Sequence, residues 1–147
     1  MTRRMLTALV ALVGLFVATY LALYKAGVIG VLACGTGGCE TVQLSHWSVF
    51  LGIPVATWGV GYYALVFALA FAATTERFGA SQRLSYALAA LTGWGVVYSA
   101  WLTYLELFVI HAICRWCVAS AGIAVLLFIL AFLDLRARAR VQGMGEV

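Results

Sequence analysis

Residues 5–28 read MLTALVALVGLFVATYLALYKAGV. The only charge in this run is Lys25, near its far end, where a long side chain can snorkel to an interface. Crossing the hydrocarbon of a bilayer takes roughly 20 apolar residues. The run is long enough, and it exceeds the apolar core of about 7–15 residues found in secretory signals. It is therefore read as a span, although Arg3 and Arg4 before it and Val31-Leu32-Ala33-Cys34 after it loosely resemble a lipoprotein leader. Comparable apolar runs follow at about 54–73, 84–110 and 113–135. Pro54 suits the first turn of the second. The fold class implied is an all-α integral membrane protein, a four-transmembrane-helix bundle forming a single domain over 1–147.

Composition agrees. Hydrophobic residues make up 65% of the 147-residue chain and charged residues 10%, against about 25% charged in a typical soluble domain. A net charge of +4 could suggest a nucleic-acid partner. The basic residues sit beside apolar runs, however, and form no basic tract with interleaved aromatics.

They read instead as topology signals. Arg3 and Arg4 precede the first span, and Arg77 and Arg83 lie between the second and third. Arg136, Arg138 and Arg140 follow the fourth. Only Lys25 and Arg115 fall on the other side, which accounts for all nine basic residues. The positive-inside rule then places both termini in the cytoplasm of an inner or plasma membrane. The segment between helices 1 and 2 faces outward, as does the turn around His111. All four cysteines, Cys34, Cys39, Cys114 and Cys117, thus belong to the extracytoplasmic face, where disulfides persist.

Cys114-Arg115-Trp116-Cys117 is a C-x-x-C opening a helix. The helix N-terminus and Arg115 favour a thiolate there, the nucleophilic form of sulfur. Cys34-Gly35-Thr36-Gly37-Gly38-Cys39 encloses three glycines, which suggests a flexible loop able to meet two partners in turn. A bridge across so short a loop adds little stability by loop closure, which points to exchange chemistry. Exchange between the pairs needs a thiolate in contact with a sulfur. The competing assemblies are a four-cysteine zinc site and a non-enzymatic membrane subunit held by structural disulfides. Four cysteines allow three pairings, and spacing does not choose among them.

Residues 40–54 mix polar and aromatic groups and read as a segment at the membrane interface, with Ser45, His46 and Ser48 as possible hydrogen-bonding groups. Glu106 falls in the outer half of the third span. An ionisable group there is a functional candidate, although one within about a turn of the surface can equally reach water. Trp94, Tyr98, Trp101 and Tyr104 form a stripe on the same helix, from which Tyr98 and Tyr104 are candidates for contact with a ligand carbonyl. Gly59, Gly61, Gly93, Gly95 and Gly122 would permit close helix approach.

These residues together resemble the vitamin K epoxide reductase family, in its bacterial thiol:quinone oxidoreductase branch. The resemblance rests on Cys34 and Cys39 after the first span, Gly38-Cys39-Glu40, Ser45-His46-Trp47-Ser48, Gly52-Ile53-Pro54-Val55 and the late Cys114-Arg115-Trp116-Cys117. It implies a membrane enzyme that supports disulfide bond formation. In that reading Cys34 exchanges with a separate thioredoxin-like (DsbA-like) thiol protein, Cys39 attacks Cys114, and Cys117 acts on a quinone (menaquinone or ubiquinone). No metal is implied. Ser45 matches the family's active-site serine, and Trp47 its neighbouring tryptophan. With Cys117, Tyr98 and Tyr104 they form the expected quinone site. Ala121 stands where the animal enzymes carry a tyrosine that contacts vitamin K, which favours a simple quinone over the epoxide. No fused thioredoxin-like domain is expected after the fourth span.

Overall fold

The computed structural model describes residues 2–35 and 37–146. Four of its helical stretches are long and apolar enough to cross a membrane: Arg3–Lys25, Val55–Ala72, Gln82–Ile110 and Arg115–Gly145. They correspond to α1 (Arg3–Lys25), α3 (Val55–Ala72), α5 (Gln82–Leu105) with a π-helical extension (Glu106–Ile110), and α6 (Arg115–Gly145). The protein is thus the expected all-α membrane bundle. Two short helices, α2 (Gly38–Leu44) and α4 (Glu76–Gly79), lie in the connections. A 3₁₀ turn, His46–Ser48, leads into a two-residue hairpin of β1 (Val49–Phe50) and β2 (Ile53–Pro54). Val49 pairs with Pro54 and Phe50 with Ile53. Leu51 and Gly52 make the turn, both at positive φ, 54° and 78°, as tight hairpins require.

Small side chains decide how the helices pack. Ala8, Ala11, Ala18, Ala70, Ala73 and Ala131 are buried in the main core. Gly14 receives the ring of Tyr63 so closely that a Cβ there would overlap it. Lipid offers apolar groups no less than another helix does, so close backbone approach is what drives association. Of the glycines singled out for helix approach, Gly59, Gly93 and Gly95 face neighbours, and a Cβ at Gly61 or Gly122 would meet open space. Large apolar side chains point outward, among them Phe16 at 68% exposure and Trp94 at 65%. That is costly in water and natural in a bilayer. Helix α1 packs along α3 and α6, and α5 closes on α6. Helices α3 and α5 meet far less, and a cavity lies between them.

The end of the bundle remote from the cysteines is tied by a buried arginine. Arg4 is 5% exposed. Its guanidinium donates to Asp134 at 3.1 Å, to the Ala73 and Gly79 carbonyls at 2.7 and 2.9 Å, and to the Ser85 hydroxyl at 2.8 Å. A residue read from sequence as a topology signal is therefore also a structural bolt. Helix α6 runs on to Gly145, past the expected end near 135. Beyond the apolar run, residues 136–140 alternate arginine and alanine, both good helix formers, and Arg138 pairs with Asp134 one turn back at 3.3 Å.

Candidate functional site

Cys34 and Cys39 are joined as a disulfide, with Cα atoms 6.1 Å apart. Only the first of them sits in an irregular loop. Gly37 takes a left-handed conformation, φ 69°, and from Gly38 the chain is helical, so Cys39 is carried on the first turn of α2 and is fully buried. Spacing alone showed a glycine loop and not the helix that ends it. The approach to Cys34 is pinned from two sides. The Ala33 N–H donates to the Tyr20 hydroxyl at 2.9 Å, and the Trp116 indole donates to the Ala33 carbonyl at 3.2 Å. Tyr20 and Trp116 touch each other, ring centroids 5.0 Å apart.

Cys114 and Cys117 are unbridged thiols. Cys114 is the N-cap of α6, with extended backbone, and its Sγ accepts the Cys117 N–H at 3.3 Å. Hydrogen bonding from the Cys117 side chain holds the Cys114 thiol below the ordinary thiol range, with the Cys117 N–H adding to it; burial and the Glu106 carboxylate oppose. Glu106 itself is 5% exposed. Its Oε2 accepts the Cys114 backbone N–H at 3.2 Å, and its carboxyl lies within hydrogen-bonding reach of the Cys117 thiol. The alternative that it reaches water is therefore corrected. The π turn at Glu106–Ile110, closed by His111 at φ 55°, folds residues 111–114 back over that side chain. Such π segments are frequent at functional sites.

The two pairs belong to one apolar cluster. Cys39 and Cys114 are both buried in it at 0% exposure, and Cys34 and Cys117 pack against it. Gly38 and Ile113, the residues just before Cys39 and Cys114, are in direct backbone contact. Among the described residues, no group of three or more His, Cys, Asp or Glu is arranged to hold a metal ion.

The cavity between α3 and α5 has a volume of about 960 Å³ and opens onto the same cluster. Cys117 and Glu106 stand in its wall, with Gln43, Ser45, Trp47 and Tyr98. Tyr104 lies outside it, on the outer face of α5, stacked on Trp101 and in tilted contact with Phe108. Ser45 caps α2, its hydroxyl donating to the Val42 carbonyl at 2.7 Å. His46 and His111 are exposed. Lys25 donates to the Gln43 carbonyl at 2.5 Å and to the Ser48 hydroxyl at 2.8 Å, so it is a brace rather than a snorkelling charge.

Residues 5–132 match the Vitamin K epoxide reductase family. The chain belongs to that family. A vitamin K epoxide reductase family protein is a membrane oxidoreductase working between thiols and a quinone. The cavity fits a quinone on its own terms: its size lies in the range of about 300–1,000 Å³ usual for small-molecule sites, and its wall is largely apolar. Tyr62 lines that wall, and its hydroxyl is tucked against Gly95 without a hydrogen-bond partner, an unused donor beside the space a quinone would fill. Sequence reasoning missed Tyr62 because tyrosines in spans are common. It also missed Gln43, whose amide donates to the Cys117 Sγ at 3.7 Å. A polar residue one helical turn past Cys39 was the signal available for it.

Proposed function

We propose that the protein takes electrons from a separate extracytoplasmic thioredoxin-like protein and delivers them to the membrane quinone pool, sustaining disulfide formation. The observation that carries this reading is the burial of Cys39 and Cys114 in one cluster that also gathers Cys34 and Cys117. In this scheme a partner thiolate attacks Cys34, forming a mixed disulfide and releasing Cys39 as thiolate. The partner's second thiol then completes its own disulfide and frees Cys34. Cys39 attacks Cys114 of an oxidised Cys114–Cys117 bond, freeing Cys117, and Cys34 resolves the Cys39–Cys114 bond. The result is an oxidised loop pair beside a reduced C-x-x-C, the pattern of pairing seen here. A quinone supplies the two-electron sink, and Cys117 faces its cavity. Ala121 lines that cavity without a hydroxyl, which favours a simple quinone over the epoxide. The topology that goes with this reading has both termini cytoplasmic and the cysteines outside.

The decisive experiment uses purified protein in quinone-loaded vesicles. Cys117→Ser should abolish quinone reduction with any reductant. Cys34→Ser should block turnover with a thioredoxin-like dithiol while sparing dithiothreitol. A thioredoxin-like partner whose second cysteine is replaced should be trapped as a mixed disulfide on Cys34 of the otherwise intact protein. Full activity in Cys117→Ser would overturn the assignment.

A further inference from the structure

Glu106 is a buried carboxylate to which the disulfide relay gives no task. It stands where the π turn meets the C-x-x-C, in the cavity wall, touching both members of the dithiol. Burying a carboxylate is expensive unless it is paired, and no basic side chain is hydrogen-bonded to it among the described residues. Its neighbours are the Cys114 backbone N–H, the Cys117 thiol and the cavity. A residue needed only to hold the Cys114 backbone could be a neutral amide.

We infer that Glu106 is the proton carrier between the Cys117 thiol and the quinone cavity. This rests on the oxidoreductase reading above. In the relay above, Cys114 leaves the Cys39–Cys114 bond as thiolate, while Cys117, freed earlier, has taken up a proton. Forming the Cys114–Cys117 bond removes two electrons from the sulfurs and one proton from Cys117. The Glu106 carboxylate accepts that proton and, as the acid, passes it into the cavity; a second proton drawn from solvent completes the quinol. The Gln43 amide, donating to the Cys117 Sγ, steadies the sulfur as its proton leaves.

Glu106→Gln separates this role from a structural one, because the amide still accepts the Cys114 N–H but cannot carry a proton. Two readouts are needed. In reduced, quinone-free protein, the S–H stretching band that disappears in Cys117→Ser should shift in Glu106→Gln. In a single turnover with quinone, the variant should be slower by about a hundredfold, the low end for a positioned acid or base. Glu106→Asp keeps an acid but withdraws it by one methylene. It should move the band and fall between the other two in rate, and it decides the matter alone if Glu106→Gln does not accumulate. An unmoved band, or an undiminished rate in Glu106→Gln, overturns the proton role. Absence of quinone reduction by the wild-type protein would instead overturn the oxidoreductase reading, and the relay with it.

Discussion

Gly38 lies so close to Ile113 that a Cβ on it would overlap the Ile113 carbonyl oxygen, with the carbonyl carbon and amide nitrogen at 3.1 and 3.2 Å. These are the residues immediately before Cys39 and Cys114. Two cysteines on different elements thus share one buried cluster beside a backbone contact that only glycine allows, and the proposed handoff would depend on it. Gly38→Ala must push α2 off the start of α6, an overpacking cost of about 1–3 kcal/mol. It should slow electron transfer from the loop pair to the C-x-x-C by about tenfold or more, since small displacements of reacting atoms have large effects. Stopped-flow turnover with a reduced thioredoxin-like dithiol, which enters only at Cys34, measures it. Wild-type rates in Gly38→Ala would mean the contact is incidental.

The thiol of Cys114 has its own pH signature. Its largest influence is hydrogen bonding from the Cys117 side chain, which lowers its pKa. With the loop disulfide intact, Cys117→Ser leaves Cys114 as the one free thiol and keeps a donor. Modification by a small thiol reagent should then rise at a pH below the ordinary thiol value of about 8.5. Cys117→Ala removes the donor and should move the profile up toward that value. The sign extends to stability. A pKa depressed by folding stabilises the native state above the unfolded thiol's pKa, and that stabilisation is lost as pH falls through the folded value. Coincident profiles for the serine and alanine variants would contradict the assignment.

Gln43 supplies the one side-chain amide facing the Cys117 sulfur among the described hydrogen bonds. Gln43→Leu keeps the volume roughly constant and deletes the donor. A hydrogen bond of about 1 kcal/mol corresponds to about fivefold, so quinone reduction should slow by that factor or more while α2 remains folded. Far-ultraviolet dichroism and single-turnover quinone reduction, measured together, test this. A normal rate in a folded variant would remove Gln43 from the site.

The spans were legible because lipid imposes a simple rule. About 20 apolar residues must run without interruption, and residues 5–28 announce this directly. The cysteines were legible because sulfur chemistry needs close pairs. What escaped reading depended on three-dimensional return of the chain. Glu106 is buried because a π turn and residues 111–114 fold back over it, and nothing in the local pattern marks a π turn. Cys39 sits on a helix because Gly37 takes a left-handed conformation, whereas a run of glycines reads as loop. Arg4 looked like a surface charge because its acceptors come from residues 69 or more positions away. Tyr104 was drawn from an aromatic stripe, yet a stripe with period three to four faces one side of a helix only approximately, and Tyr98 alone of the two turns toward the cavity.

The Arg4 bolt predicts a stability effect separable from chemistry. Arg4→Met would leave Asp134 facing a void once filled by a guanidinium, with Arg138 as its remaining ion partner. Removing one partner of a buried pair costs about 3–5 kcal/mol. The thermal midpoint in detergent should fall, while vesicles holding the folded fraction should keep wild-type quinone turnover per molecule, because the cysteines lie at the other end of the bundle. A proportional loss of turnover in the folded fraction would show that the two ends are coupled.

Tyr62 gives a prediction of opposite sign for stability and for binding. Its buried hydroxyl lacks a partner, and an unmade buried hydrogen bond costs about 1–3 kcal/mol. A Cβ at Gly95 would collide with this hydroxyl, so glycine there makes room for a polar atom the packing could do without. Tyr62→Phe should therefore leave quinone-free protein as stable as wild type or more stable. The same change should weaken quinone binding about fivefold, seen as a raised KM with little change in kcat, because a carbonyl would lose its donor. Tyr98→Phe on the facing helix is the comparison, and a larger KM effect there would transfer the carbonyl contact to Tyr98. If Tyr62→Phe destabilised the quinone-free protein, its hydroxyl must already hold a partner there, and the argument that it waits for a ligand would fail.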